Sequence, residues 1–276
     1  MKKVLLVFDG SNFSEGAFEF VNKLNKIQPL LAIGAFMPQV DYANMWNYSA
    51  AAGVDTGPMY FPTVQDEDEA IDNTMEHFRS LCISNEIQFR IHKNVSEFSL
   101  PNLKEDSRFA DVVVLGGELF YKGVIFSNQF EYLKNTLHIS ESPVVIVPEN
   151  YSFPEQNILA YDGSEQSVYA IKQFAYLFPE LAKNKTLLVY ANEEQEGEIP
   201  AKDQVRELVA QHYNYLNILP LGVNPKKYFS EWIKAQKASI LISGSFGRSG
   251  LSLVFKKSFV TDTIIEHKIP VFIAHK

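Results

Sequence analysis

Short apolar runs alternate with segments of helical periodicity along the whole chain. The runs are continuous rather than alternating, which is typical of parallel strands buried on both faces of a sheet. The predicted strands are at 3–8, 30–37, 87–92, 111–116, 143–147, 157–161, 185–191, 215–221, 239–243 and 270–275. The predicted helices are at 14–26, 66–85, 97–107, 126–138, 165–177, 201–213, 225–236 and 255–267. Because strands and helices alternate, we predict an α/β fold with right-handed crossovers and parallel sheets.

Three sequence features recur in the same order in the two halves of the chain. They are an apolar run followed by Asp-Gly-Ser, an apolar run that ends in Gly, and an apolar run that follows or contains Pro. The matched segments are 4–11 with 157–164, 110–116 with 238–244, and 142–147 with 269–274. Repetition in a fixed order indicates a duplication. We therefore predict two domains, 1–150 and 151–276, joined by a linker near 148–154.

The first half is longer than the second between its first and second repeated features. The segment 38–65 accounts for the extra length, since it contains Pro and Gly and has no clear periodicity. Such composition is typical of a long loop. We expect this loop to cover the cleft of its own half, to contact a partner, or simply to pack its aromatic side chains.

Composition excludes several classes of protein. The chain has 276 residues, 46% of them hydrophobic, and a net charge of −8, so it lacks the basic footprint of a nucleic-acid binder. Its one cysteine, Cys82, excludes an intramolecular disulfide framework. The first apolar run stops at Asp9, short of the roughly 7–15 residues of a signal segment. No run approaches the roughly 18 apolar residues of a membrane span. We expect a cytoplasmic protein with neither nucleic acid nor membrane as its partner.

Candidate chemistry follows strands 1 and 4 of the second half, because parallel sheets bind ligands beyond the carboxyl ends of their strands. Asp162 follows strand 1, and the glycine-rich loop 243–250 follows strand 4. Glycines let backbone amides approach an anion without hindrance from a Cβ atom. Both features also have a structural interpretation. Asp-Gly is a turn in which Ser164 caps a helix, and a glycine-rich turn simply makes room for its neighbours.

The spacing of this loop resembles the nucleotide-binding motif of the universal stress protein family. The sequence has Gly244-x2-Gly247-x9-Lys257-Ser258, where ATP-binding members have Gly-x2-Gly-x9-Gly-Ser/Thr. Asp-Gly-Ser after strand 1 and the terminal Ile-Pro-Val strand are also typical of the family. The resemblance implies two tandem Rossmann-like domains of the adenine nucleotide alpha hydrolase type. Each would have a five-stranded parallel sheet in the order 3-2-1-4-5. The domains would pair through their last strands as an internal pseudo-dimer, and two chains could also form a homodimer.

The resemblance also implies how ATP or another adenine nucleotide, with or without Mg²⁺, would bind. Asp162 would approach the ribose or the metal–phosphate region, Ala160 would lie beside the base, and backbone near Tyr190 would meet the adenine. The loop after strand 4 would wrap the ribose and phosphate, and 257–260 would hold the terminal phosphates. The implied nucleotide-binding residues are Ala160, Asp162, Tyr190, Ser243, Gly244, Phe246, Gly247, Lys257, Ser258, Phe259 and Val260.

The chain departs from the family motif at Lys257, which replaces a glycine. Its side chain either blocks the close approach of the backbone or pairs its ammonium with phosphate. The first half departs further, because Leu119, Gln129 and Phe130 stand where the second half has Gly247, Lys257 and Ser258. We expect the first half to be a degenerate partner domain.

We predict a cytoplasmic stress-response protein that binds ATP or a related adenine nucleotide in its second half as a binding or signalling module. No catalytic residue and no zinc-type signature is evident, so we expect at most slow ATP hydrolysis. Two alternatives stay open. One is an interaction protein without a nucleotide, whose site Lys257 has closed, and the other is a nucleotide hydrolase of low activity.

Overall fold

The computed structural model describes the chain in nine segments. They are residues 1–9, 12–37, 64–93, 100–118, 136–191, 198–221, 232–233, 235–244 and 269–274. The predicted helices at 126–138, 225–236 and 255–267 lie mostly or wholly outside these segments, as does most of the 38–65 loop.

The described elements follow the predicted alternation of strands and helices. The strands are β1 Lys2–Asp9, β2 Leu30–Met37, β3 Gln88–Lys93, β4 Val112–Gly116, β5 Val144–Val147, β6 Gln156–Tyr161, β7 Lys185–Ala191, β8 Leu216–Leu221, β9 Ser239–Gly244 and β10 Val271–Ala274. The helices are α1 Glu15–Ile27, α2 Val64–Ser84, α3 Leu100–Arg108, α4 Glu165–Leu177, α5 Pro179–Ala182 and α6 Lys202–His212. Only the short helix α5, which begins on a proline, was not predicted.

The strands form one mixed sheet of ten strands, in the order β3-β2-β1-β4-β5-β10-β9-β6-β7-β8. Neighbours within each half are parallel, whereas β5 and β10 pair antiparallel, with Val145 opposite Phe272. Each half thus has the predicted order of five strands, and the two halves join through β5 and β10 into one sheet of ten strands. The last strands hydrogen-bond to each other, so neither β5 nor β10 leaves an unpaired edge.

The sheet is covered on both faces, as the continuous apolar runs predicted. Along β1, Val4, Leu6 and Phe8 belong to one buried cluster, and Leu5 and Val7 belong to the other. This alternation follows from the two-residue repeat of a strand. Both clusters draw residues from both halves of the chain. Each face of the ten-stranded sheet therefore carries one buried cluster that continues across both halves.

The cysteine lies inside this core. Cys82 on α2 is fully buried, and burial raises the pKa of its thiol to about 12. A thiol with a raised pKa stays protonated and unreactive at neutral pH. Cys82 is a structural residue, as its isolation in the sequence indicated.

Candidate functional site

Three strands of the second half end side by side at one edge of the sheet. Strand β6 pairs in parallel with β7 on one side and with β9 on the other. Their carboxyl ends carry Ala160, Asp162, Tyr190, Ser243 and Gly244. The chain leaves β6 toward β7 on one side, and β9 flanks β6 on the other, so the strand order reverses between β6 and β9. The structure therefore brings these five predicted residues to one edge.

Asp162 begins the turn that leads from β6 into helix α4. One of its carboxylate oxygens, Oδ1, accepts a hydrogen bond from the backbone N–H of Ser164 at 2.9 Å. Gly163 has a φ of +81°, a left-handed conformation that favours glycine. The other oxygen of Asp162, Oδ2, makes no hydrogen bond to another described residue, and the side chain is partly exposed. The turn thus fixes Asp162 and leaves one oxygen at the edge of the sheet.

Ser164 caps helix α4, as its position after Asp-Gly predicted. Its Oγ accepts a hydrogen bond from the backbone N–H of Ser167 at 3.1 Å, and its backbone is extended. The Ser167 hydroxyl donates to the carbonyl of Ser164 at 2.8 Å. These bonds satisfy one of the backbone N–H groups that a helix leaves unpaired at its start. The structural interpretation of the Asp-Gly-Ser motif therefore holds.

Gly244 lies directly against the first turn of helix α4. A Cβ atom at this position would lie 2.5 Å from the carbonyl carbon of Gln166 and 2.6 Å from the nitrogen of Ser167. Both are backbone atoms, which cannot rotate away as the end of a side chain can. Packing against the helix alone therefore requires glycine at 244, whether or not a ligand binds. The neighbouring Ser243 is buried, and its hydroxyl donates to the carbonyl of Gly244 at 3.1 Å.

Two tyrosines lie at the ends of β6 and β7. Tyr161 and Tyr190 are opposite each other in the register, with ring centroids 6.4 Å apart. The Tyr161 hydroxyl donates to the carbonyl of Pro200 at 2.7 Å, and burial raises the pKa of this phenol. Ala160 faces the opposite side of the sheet from Tyr161. The segment that begins α6 thus packs beside the predicted base position, which the sequence did not indicate.

The remaining predicted contacts cannot be placed. Phe246, Gly247, Lys257, Ser258, Phe259 and Val260 lie outside the described residues. In the described segments, no group of three or more His, Cys, Asp or Glu side chains gathers as a metal site. A cavity of about 470 Å³ lies along β3, at the outer edge of the first half, and none of the predicted nucleotide contacts lines it.

The corresponding edge of the first half contains carboxylate contacts that sequence reasoning missed. Glu149, just after β5, forms a hydrogen bond with the hydroxyl of Ser14 and accepts another from the backbone N–H of Gly16 at 3.1 Å. Glu118, just after β4, accepts a hydrogen bond from the backbone N–H of Glu149 at 2.9 Å. Ser14 and Glu149 are 135 positions apart in the chain. No local pattern could have indicated their contact.

A helix that spans a membrane needs roughly 18 or more mainly apolar residues. No helix within the described segments combines the length and the apolarity that such a span needs.

Comparison with known proteins identifies the fold. No family model and no curated protein sequence matches the chain. The structure is similar to that of a universal stress protein from Archaeoglobus fulgidus DSM 4304, with 15% identity and a TM-score of 0.65, over 100% of this chain and 96% of that chain. The cytoplasmic domain of a prokaryotic cation chloride cotransporter is similar at 11% identity and a TM-score of 0.48, over 99% and 94% of the two chains. The resemblance to universal stress proteins is confirmed at the level of the fold.

Proposed function

We propose that the chain is a stress-response protein of the universal stress protein type that binds ATP or a related adenine nucleotide in its second half. On this proposal, residues 1–150 and 151–276 are its two domains, and only the second holds a nucleotide. The protein acts in the cytoplasm as a binding or signalling module. No residue is proposed to be catalytic.

The observation that carries this proposal is the position of Asp162 and Gly244 at the point where the strand order of the second half reverses. In open α/β sheets, ligands bind in the crevice at that point, outside the carboxyl ends of the strands. Asp162 follows β6, and Gly244 ends β9, on the two sides of the reversal. The positions of these two residues support a ligand site at this point of the sheet.

The described residues fit part of a nucleotide. The Oδ2 oxygen of Asp162 is available to accept a hydrogen bond from a ribose hydroxyl or to meet a Mg²⁺ ion. Tyr190, at the end of β7, offers an aromatic ring and backbone polar groups near the proposed base. We assign the phosphates to Phe246 and Gly247 in the loop and to 257–260. There, glycine and backbone amides suit an anion, and the ammonium of Lys257 would neutralise its charge.

One observation favours the alternative of an interaction protein without a nucleotide. Gly244 is required by the packing of helix α4, so its presence is explained without a ligand. Gly247 and Ser258 lie outside the described residues and belong to the motif that the resemblance assigns to the phosphates. Substitution at Gly247 therefore tests nucleotide binding more directly than substitution at Gly244.

Titration of the full chain with MgATP tests the proposal, with ADP and AMP as comparisons. The wild type is expected to bind one nucleotide per chain, and Gly247→Val is expected to raise the Kd at least about tenfold, because a branched side chain keeps the loop amides away from the phosphates. Leu119→Val, at the matching position of the first half, is the control and should leave the Kd unchanged. Absence of heat and of any thermal shift at millimolar nucleotide would eliminate the proposed function.

A second variant separates binding from slow hydrolysis. Asp162→Ala removes the carboxylate and leaves the loop after β9 intact. If the protein is only a binding module, we expect Asp162→Ala to weaken binding while ATP turnover stays at the background rate in both proteins, as followed by phosphate release. Measurable turnover in the wild type that Asp162→Ala abolishes, with binding retained, would identify a hydrolase instead.

A further inference from the structure

The start of helix α1 is occupied by a carboxylate of the chain itself. The Ser14 hydroxyl oxygen accepts a hydrogen bond from the backbone N–H of Ala17 at 3.1 Å, and Glu149 accepts one from that of Gly16 at 3.1 Å. Backbone N–H groups and the positive end of the helix dipole make this position favourable for an anion. In the first half, the anion is the side chain of Glu149.

Backbone contacts hold Glu149 in this position. A Cβ atom at Gly16 would lie 2.8 Å from the Cα atom of Glu149 and 3.0 Å from the carbonyl carbon of Pro148. The glycine at 16 therefore lets the residues after β5 lie directly on the helix. Tyr151 follows closely, and its ring packs near Phe20 with centroids 6.3 Å apart. The segment that carries Glu149 thus packs against helix α1 and the edge of the core.

A second carboxylate lies beside the first. Glu118 accepts a hydrogen bond from the backbone N–H of Glu149, and burial, together with the negative charge of Glu149, raises the pKa of the Glu118 carboxyl. Glu118 lies two residues after Gly116, just as Phe246 lies two residues after Gly244 in the second half. The carboxylate pair, Glu118 and Glu149, therefore lies at the edge of the first half that corresponds to the position of the glycine-rich loop in the second half.

Aromatic side chains cluster just before the start of helix α1. Phe13 precedes helix α1 and stacks on Phe8 at the end of β1, with ring centroids 4.6 Å apart. His77 from α2 meets the Phe13 ring edge-on, at 4.7 Å between centroids, and its Nε2 lies 2.9 Å from a carboxylate oxygen of Glu15. In the second half, the position of Phe13 is taken by Gln166, which lies within helix α4.

We infer that Glu149 is a built-in anion that excludes phosphate-bearing ligands from the start of helix α1, with Glu118 adding negative charge beside it. The two halves share a fold but differ at the helix that follows their first strand. Glu149, from the segment after the last strand of its half, lies on the start of α1, whereas the described contacts at the start of α4 come from Asp162 and Ser164. This closure does not depend on whether the second half binds a nucleotide. Its test can therefore succeed or fail separately from the proposed function.

Chemical rescue of Glu149→Ala by inorganic phosphate tests the inference in the full chain. Removal of the carboxylate leaves the Gly16 N–H without its acceptor, so the melting temperature in chloride buffer should fall by about 2–6 °C. Phosphate at millimolar concentration and matched ionic strength should restore at least half of that loss. The response of the wild type to phosphate is subtracted, which removes any contribution from the second half. Glu155→Ala, an exposed glutamate of the same linker, is the control and should show neither the loss nor the rescue.

Glu149→Gln keeps the size of the side chain and one acceptor oxygen but removes the charge. It should fold, lose less stability than the alanine variant, and show no rescue, because the amide still occupies the position. A Glu149→Ala protein as stable as the wild type would overturn the inference, as would a loss that phosphate reverses no better than chloride. If Glu149→Ala fails to fold, a Glu149→Gln melting temperature equal to that of the wild type would overturn the role of the charge.

Discussion

Gly244→Ala is expected to lower the free energy of unfolding by about 2–3 kcal/mol. The added Cβ atom would meet the backbone of Gln166 and Ser167, so either helix α4 must move away from β9 or the strand must bend. Both adjustments disturb the packing of helix α4 on β9, where Ser167, Ala170 and Ile242 are buried. Chemical denaturation should show a lower midpoint with an unchanged slope, since the surface exposed on unfolding stays the same.

Gly116 is the matched control for this effect, because it ends β4 as Gly244 ends β9. A Cβ atom at Gly116 would meet the side chain of Ser14 rather than backbone. Gly116→Ala combined with Ser14→Gly should therefore be less destabilised than the two single changes added together. Truncation of Gln166 should give no such relief to Gly244→Ala. Recovery of stability in Gln166→Ala with Gly244→Ala would show that the crowding is not with the backbone.

Phe272→Ala is expected to cost about 3–5 kcal/mol of stability, the loss typical of a fully buried aromatic side chain. Phe272 lies on β10 where the two halves meet, and its ring contacts Phe174 at 5.2 Å and Phe178 at 6.0 Å between centroids. Across the antiparallel pair it faces Val145 of the first half. The cavity left by alanine would thus weaken the core at the junction of the halves.

Because the sheet is continuous across this junction, both halves of Phe272→Ala should unfold in one transition at a lower denaturant concentration. Tyr176→Ala serves as the control, since Tyr176 is 53% exposed and its ring touches only His212 among the described aromatic residues. It should change the free energy of unfolding by less than about 1 kcal/mol. Two separate transitions in Phe272→Ala, with the first half unaffected, would contradict the shared core.

Most of the strands were predictable because a continuous apolar run makes up much of the strand. The run at 112–116, for example, forms β4 with all five residues buried. Periodicity reports burial, however, and not which strand lies next to which. The pairing of β5 with β10 was implied only by the resemblance to a family, and the pattern of apolar runs gave no signal for it. Helix α5, with four residues, is too short for any periodic signal.

The candidate site likewise contains contacts that are local in sequence, which were predictable, and contacts between distant segments, which were not. Asp162 and Ser164 are close in sequence, so their turn and helix cap were predictable from local chemistry. The contact of Gly244 with helix α4 depends on how the helix packs on the sheet, which leaves no local signal. Ser14 follows β1 and Glu149 follows β5, so their contact depends on how these two strands are placed in the sheet. The occupied state of the first half could therefore be recognised only from the structure.

A crystal structure of the full chain grown with MgATP is the most direct test of the central claim, that the second half alone binds an adenine nucleotide. We expect nucleotide density beyond the carboxyl ends of β6, β7 and β9, with the ribose near Asp162 and the phosphates at the loop that follows Gly244. The first half should show the Glu149 carboxylate still on the start of helix α1. Density at the first half, or none at the second half in crystals soaked at saturating nucleotide, would contradict the claim.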